Sequence, residues 1–173
     1  MSIKMGDRLP EGRFKTATSD GLKDVTTSEL FDGKTVVLFA VPGAFTPTCS
    51  AKHLPGFVQN AEKLKQKGVD TVACVAVNDA FVMDAWGKAQ NVGDKVHMLA
   101  DGSCAFSKAL GLELDLNAAG LGRPPLQKHF RKSPESAKVK SVIWKKKHLL
   151  HLHFIQLLVI QIQCQKLQQC TVL

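Results

Sequence analysis

The stretch FAVPGAFTPTCSAKHLPG, from Phe39 to Gly56, determines how the rest of this chain is organised. It begins at the end of an apolar run over residues 35–40, whose β-branched and aromatic side chains are typical of a buried strand. A proline and a glycine end that strand, and a helical pattern over residues 51–67 then stops at a glycine. The pattern therefore predicts that Cys49 lies in the first turn of a helix, just beyond the end of a strand.

The predicted surroundings of Cys49 favour a thiolate over a thiol. The first turn of a helix offers amide donors and the positive end of the helix dipole, and both stabilise an anion. No acidic residue lies between Asp32 and Glu62, whereas Lys52 and His53 closely follow the cysteine. A lone cysteine is more often a buried structural residue. The helix start and the local charge are what favour a reactive cysteine here.

Thr46 lies three residues before Cys49, so its hydroxyl can reach the sulfur or an oxygen atom of a bound substrate. Together with Pro42 these residues form P-x-x-x-T-x-x-C, which resembles the active-site pattern of peroxiredoxins. The longer string PGAFTPTCSAKHLPG is similar to the peroxiredoxin-5, or type II, branch. The similarity continues through ACVAVNDAFVMDAWGKA and LADGSCAFSKALGLELDL, and so covers about Ile3 to Gly122.

Alternating strand and helix patterns predict the fold class of this segment. Apolar runs of strand length recur at residues 69–77 and 96–100, and helical patterns occupy 51–67 and 80–90. Such alternation gives βαβ units, and hence an α/β fold with a central, mainly parallel sheet flanked by helices. The resemblance implies the same architecture, the thioredoxin-like fold.

Four residues have expected structural roles at the predicted helices. Pro55 is expected to kink the helix after the cysteine, because it lacks an amide donor and crowds the preceding turn. Asn78 and Asp79 are suited to cap the next helix, and Ser103 to cap a short one after the third strand.

The resemblance implies a thiol-dependent peroxidase that acts on hydrogen peroxide and alkyl hydroperoxides. Cys49 would attack one peroxide oxygen and become a sulfenic acid, with release of water or an alcohol. Thr46 would hold the peroxide in line, and Pro42 would shield the oxidised sulfur. Neither a metal ion nor an organic cofactor is expected. The family also places an arginine beside the thiolate, and Arg123 and Arg131 are the candidates by rough position.

Reduction of the oxidised sulfur back to a thiol requires a second thiol. Type II enzymes of plants have a cysteine at the point equivalent to Cys74, which makes Cys74 the candidate resolving residue. Its apolar surroundings fit a small core residue equally well. Cys104 is a further candidate, and Cys164 and Cys170 lie in the C-terminal part of the chain. Otherwise thioredoxin, glutaredoxin or glutathione would reduce Cys49 directly.

Beyond Gly122 the character of the sequence changes. The first 122 residues carry 13 basic and 14 acidic residues, whereas residues 123–173 carry ten and one, and no glycine. We therefore predict a thioredoxin-fold body over 1–122 and a basic, apolar C-terminal segment over 123–173 that is irregular or disordered. An alternative or frameshifted C-terminus joined to a peroxiredoxin body would explain the change. The apolar run at 149–162 is shorter than the roughly 20 residues that span a bilayer. The basic run at 145–147 before it suits an interfacial helix, but the polar residues of the run do not segregate to one face, so membrane contact is not expected.

Charge and cysteine spacing limit the partners and the compartment. The net charge of +8 arises in the C-terminal segment alone, so nucleic acid is not an expected partner. The five cysteines include no C-x-x-C pair and the first residues contain no apolar signal core, so the cytoplasm is expected. The resemblance also makes a homodimer plausible. The alternative function is a weakly active or inactive variant that acts as a redox-sensing or binding module through its altered tail.

Overall fold

The computed structural model describes residue 3, residues 7–120 and residue 122, together with the backbone of residues 128–133 and 136–144. In these ranges one sheet contains seven strands. In chain order they are β1 Arg13–Thr18, β2 Gly21–Thr26, β3 Val36–Ala40, β4 Thr71–Ala76, β5 His97–Ala100, β6 Lys128–Ser133 and β7 Ser136–Trp144. Their order across the sheet is β2-β1-β5-β4-β3-β6-β7. The neighbours β3, β4 and β5 are parallel, and the outer pairs are antiparallel.

Helices connect and cover the central strands. They are α1 Thr27–Phe31, a π-helical turn Cys49–His53 that continues directly into α2 Leu54–Gln66, α3 Ala80–Ala89, α4 Ala105–Ala109 and a 3-10 turn Asn117–Ala119. Because α2 connects β3 to β4 and α3 connects β4 to β5, the centre of the sheet consists of two βαβ units. None of the helices in the described ranges is long and apolar enough to cross a bilayer.

The central strand β3 is buried on both faces of the sheet. Val37 and Phe39 pack in one apolar cluster with residues of the π-helical turn, α2 and α3. The alternate residues of β3 pack in a second cluster with residues of α1 and α4. Successive side chains of a strand point to opposite faces, so an uninterrupted apolar run fills both clusters. Cys49 and Cys74 both belong to the first cluster.

The predicted thioredoxin-like α/β fold is confirmed, but its sheet is mixed and not mainly parallel, since among the described strands two pairs are parallel and four are antiparallel. The helix ends show one correct and one wrong prediction. Asp79 caps α3 as expected, since its carboxylate accepts a 2.9 Å hydrogen bond from the amide of Val82. Ser103 does not cap α4. Asp101 at the end of β5 takes that role instead, because its buried carboxylate accepts from both the amide (2.8 Å) and the hydroxyl (2.7 Å) of Ser107.

Strands β6 and β7 extend the sheet beyond β3. The backbone of β6 pairs with β3 in antiparallel register, with Arg131 opposite Val37 and His129 opposite Phe39, and β7 pairs with β6. Both strands come from the C-terminal segment that the sequence sets apart after Gly122. The division of the chain at that residue stays a prediction.

Candidate active site

Cys49 is the first residue of the π-helical turn, and it is 3% exposed. Residues 47 and 48 already have helical geometry, so the cysteine lies in the first turn of a helix that continues to Gln66. The loop before it starts at the half-buried Pro42, directly after a 3.0 Å hydrogen bond from the amide of Val41 to the carbonyl of Val75. This hydrogen bond fixes the start of the loop to β4.

Thr46 makes two hydrogen bonds that hold the loop before Cys49. Its hydroxyl donates a 2.9 Å hydrogen bond to the carbonyl of Gly43, and its own carbonyl accepts a 2.9 Å hydrogen bond from the amide of Ser50. Phe45 at the tip is 54% exposed and has a φ of 58°, a left-handed conformation that is uncommon for a residue with a side chain. The two hydrogen bonds of Thr46 therefore connect it to the loop at Gly43 and to the cysteine turn at Ser50.

Asn78 holds the same loop from the neighbouring strand. It follows β4, and its side-chain oxygen accepts a 2.8 Å hydrogen bond from the amide of Ala44. The sequence indicated only a capping role for Asn78, and Asp79 provides the cap. A signal was available, since loops after neighbouring parallel strands meet at one edge of a sheet and a polar residue there is often functional.

A π-helical turn and the buried His53 surround Cys49 on its C-terminal side. The π-helical turn is closed by a hydrogen bond from the amide of Leu54 to the carbonyl of Cys49. This wider turn accommodates Pro55, which has no amide donor for an ordinary α-helical bond, so the expected kink takes the form of a π turn. His53 is fully buried against Phe39, with 5.2 Å between the ring centroids.

Trp86 ties the cysteine turn to α3. Its indole N–H donates a 3.0 Å hydrogen bond to the hydroxyl of Ser50, the residue that follows Cys49. The Trp86 side chain is fully buried, so this hydrogen bond satisfies a donor that water cannot reach.

Cys74 lies in β4 and is fully buried. Burial raises the pKa of the Cys74 thiol well above its ordinary value, and negative charge on Cys49 raises it further. No disulfide joins the two cysteines in this structure. They are therefore close enough to influence each other electrostatically, in the core cluster that they share.

The other candidate residues lie apart from this group or outside the described residues. Cys104 is half-buried at the start of α4, and burial and the carboxylate of Asp101 raise the pKa of its thiol. Arg131 is described only by its backbone register in β6, opposite Val37. The remaining candidates lie outside the described residues: Arg123, Cys164 and Cys170.

The described part of the site combines a buried sulfur, a hydroxyl and the amides of a helix start. The first turn of a helix offers amide donors and the positive end of the helix dipole, and within this turn the amide of Ser50 bonds to the carbonyl of Thr46. Such donors stabilise negative charge on a sulfur or on an oxygen bound to it. Among the residues that the structure describes, no group of three or more His, Cys, Asp and Glu residues could hold a metal ion.

Sequence comparison assigns the chain to a family. Residues 4–125 match the redoxin family. Peroxiredoxin-2C of Oryza sativa subsp. japonica is 53% identical over 121 residues, which are 69% of this chain and 75% of that protein. Peroxiredoxin-2E, chloroplastic, of Arabidopsis thaliana is 50% identical over 123 residues, which are 70% of this chain and 53% of that protein. The chain thus spans about half the length of the chloroplastic relatives that it matches.

Solved structures agree with the sequence match. Reduced Prx3 from Vibrio vulnificus in complex with H2O2 is 42% identical with a TM-score of 0.84, covering 92% of this chain and 99% of that chain. Peroxiredoxin 5 from Alvinella pompejana is 33% identical with a TM-score of 0.78, covering 92% and 98%. The chain belongs to the redoxin family and has a thioredoxin-like α/β fold. Within that family it is a peroxiredoxin of the type II, or peroxiredoxin-5, branch, as the residues around Cys49 predicted.

Proposed function

We propose that this peroxiredoxin is a thiol-dependent peroxidase that reduces hydrogen peroxide and alkyl hydroperoxides through Cys49. The observation that carries the proposal is the position of this cysteine, 3% exposed in the first turn of a helix and three residues after Thr46. Family membership supports the proposal. The Vibrio vulnificus relative is described as a complex with H2O2, the smallest member of the substrate class proposed here.

In the first step the thiolate of Cys49 attacks one peroxide oxygen. An S–O bond forms as the O–O bond breaks, so the sulfur is oxidised to a sulfenic acid and the peroxide is reduced. The departing oxygen takes a proton and leaves as water, or as an alcohol when the substrate is an alkyl hydroperoxide. The helix start and the positive end of its dipole stabilise the negative charge as it moves from the sulfur to the departing oxygen.

Thr46 aligns the peroxide for this attack. Its hydroxyl already donates to the carbonyl of Gly43 at 2.9 Å. A hydroxyl has one hydrogen and two lone pairs, so the Thr46 oxygen remains able to accept a hydrogen bond from the O–H of a peroxide. Holding one peroxide oxygen there directs the other towards Cys49, and such alignment lowers the entropic barrier of a two-molecule reaction. Pro42, at the start of the same loop, shields the sulfenic acid from a second peroxide molecule.

The catalytic cycle is completed by a second thiol. The sulfenic acid condenses with the thiol of Cys74, which forms a disulfide and releases water. Cys74 is fully buried with a raised pKa, and disulfide geometry requires α-carbons within about 7 Å, so this step follows a local opening of the core. Thioredoxin, glutaredoxin or glutathione then reduces the disulfide, or reduces Cys49 directly when Cys74 does not react.

Three further parts of the proposal rest on the resemblance to type II peroxiredoxins. Arg123 or Arg131 supplies a cation beside the thiolate, and strand β6, which carries Arg131, pairs directly with β3. The protein forms a homodimer. It acts in the cytoplasm, although two of its relatives are named as chloroplastic proteins.

The proposal is tested by the rate at which hydrogen peroxide oxidises Cys49 in the full chain. Rapid quenching followed by intact mass spectrometry measures this rate, with Cys49→Ser as the negative control and Cys104→Ser as the matched cysteine control. We expect oxidation more than about a hundredfold faster than that of cysteine in solution, because the helix-start amides act on the departing charge. We expect Cys104→Ser to react like the unchanged protein.

A rate equal to that of cysteine in solution would contradict the proposal. It would favour the alternative function, a redox-sensing or binding module that acts through the C-terminal segment. A partner of residues 123–173 would then be sought in place of a substrate.

A further inference from the structure

The side chain of Asn78 links the ends of two neighbouring parallel strands. Asn78 lies two residues after the end of β4, and it accepts a 2.8 Å hydrogen bond from the amide of Ala44, in the loop after β3. A backbone N–H only donates, so the side-chain atom that faces it is the carbonyl oxygen. The bond is partly buried and joins residues 34 positions apart. It is therefore a tertiary contact and not part of a local turn.

This contact continues to Thr46. Gly43, directly before Ala44, accepts the hydroxyl of Thr46 through its carbonyl oxygen at 2.9 Å. A Cβ atom placed on Gly43 would lie 3.4 Å from Cγ2 of Thr46 and 3.8 Å from Oδ1 of Asn78. Thr46 and Asn78 thus pack on the same glycine. Movement of the Ala44 amide would also move the carbonyl that holds the Thr46 hydroxyl.

Asn78 itself is held between rigid elements. It lies between β4, in the middle of the sheet, and α3, whose first turn is capped by Asp79. From the loop after β5, a Cβ atom placed on Gly102 would lie 3.8 Å from the backbone carbonyl oxygen of Asn78. Reactive groups must be held to within about 0.5 Å of their productive geometry. A residue fixed between a strand and a helix can hold a neighbouring loop with this precision.

We infer that Asn78 is a positioning residue of the peroxide site, which fixes the Thr46 hydroxyl relative to Cys49. The inference rests on the proposed peroxidase function. Asn78 bonds to the amide of Ala44 and acts through the loop, so it aligns the peroxide and does not activate the sulfur. Loss of the bond therefore slows oxidation by peroxide more than alkylation, because an alkylating reagent has no second oxygen to be held.

The test compares two reactions of Cys49 in the full-length Asn78→Ala variant. Oxidation by hydrogen peroxide is measured by rapid quench and mass spectrometry, and alkylation by iodoacetamide is measured by peptide mapping. We expect the peroxide rate to fall about tenfold, which corresponds to the loss of one buried hydrogen bond. We expect the alkylation rate to stay close to that of the unchanged protein.

Two further variants make the test specific. Asn78→Asp keeps an acceptor oxygen and should restore the ratio of the peroxide rate to the alkylation rate, because its added charge acts on both reactions alike. Asn60→Ala is the matched control, since it removes an amide side chain that bonds to the carbonyl of Gly56 in α2. Both rates should be unchanged in that variant.

The outcomes separate this inference from the proposed function. An unchanged peroxide rate in Asn78→Ala, or equal falls in both rates, would overturn the inference and leave the peroxidase function standing. An unchanged protein that reacts no faster than cysteine in solution would overturn both. If Asn78→Ala does not fold, Ala44→Pro removes the same bond from the donor side. An unaltered ratio in Ala44→Pro, or failure of both variants to fold, would overturn the inference.

Discussion

Cys49 and Cys74 lie in the same buried cluster, yet their backbones differ. Cys74 lies within β4, which is paired on both sides, by β3 and by β5. The backbone of Cys74 is paired within the sheet, and burial of its side chain raises the pKa of the thiol. Cys49 lies in the first turn of a helix, at the positive end of the helix dipole. Backbone position, and not burial, therefore distinguishes the proposed nucleophile from the proposed resolving thiol.

Removing the thiols of Cys49 and Cys74 in turn is expected to have the largest effect on the reaction with peroxide. Cys49→Ser should abolish rapid oxidation by peroxide, because no other described cysteine lies at a helix start near Thr46. Cys74→Ser should keep the first oxidation and instead accumulate the sulfenic acid, which a dimedone label detects by mass. Rapid peroxide consumption by Cys49→Ser would show that Cys49 is not the nucleophile.

The Thr46 hydroxyl lies in the loop that leads to the Cys49 turn, and its removal tests the proposed alignment of the peroxide. Thr46→Val keeps the size of the side chain and removes the hydroxyl that donates to Gly43. We expect the peroxide rate to fall by about a hundredfold, the usual effect of losing one group that orients a reacting oxygen. Thr46→Ser, which keeps the hydroxyl, should retain most of the rate. Equal rates in both variants would exclude a role for the hydroxyl.

The two cysteines are also anchored differently, and this difference is measurable as stability. The turn at Cys49 is tied to α3 by the hydrogen bond from Trp86 to Ser50, whereas Cys74 is held by the sheet. Ser50→Ala leaves the buried indole N–H without its acceptor and should lower the free energy of unfolding by about 1–3 kcal/mol. Urea denaturation checks this value. The exposed Ser19→Ala is the control, with an expected change below about 0.5 kcal/mol.

The sequence predicted those parts of the fold and site that depend on neighbouring residues. The apolar run of β3, the position of Cys49 at a helix start and the cap at Asp79 all follow from short patterns. The order of strands and helices indicated that Asn78 lies at the functional edge of the sheet, but it did not indicate the hydrogen bond to Ala44, which joins residues 34 positions apart. The prediction that Ser103 caps the short helix was wrong for a related reason. The carboxylate of Asp101 reaches the same helix from the end of the preceding strand.

The smallest expected effect concerns the pH dependence of stability. The pKa of the Cys74 thiol is raised in the folded state, so the unfolded chain releases this proton at lower pH than the folded protein does. The contribution of the neutral thiol is fully present below the unfolded pKa, near 9.0, and is lost as the pH rises above it. The free energy of unfolding should therefore fall by up to about 1.4 kcal/mol per pH unit from this group.

Urea denaturation between pH 7 and 10.5 measures that slope, and Cys74→Ala removes the titrating group with little change in shape. The variant should lose less stability with rising pH than the unchanged protein, although it starts from a lower value because of the small cavity. Cys104→Ala serves as the comparison variant, since the pKa of its half-buried thiol is raised less than that of Cys74, and its removal should change the pH profile less. If Cys74→Ala and the unchanged protein had parallel pH profiles, Cys74 would titrate alike in both states. The distinction between Cys74, as a neutral thiol in the sheet, and Cys49, as a reactive thiol at a helix start, would then not hold.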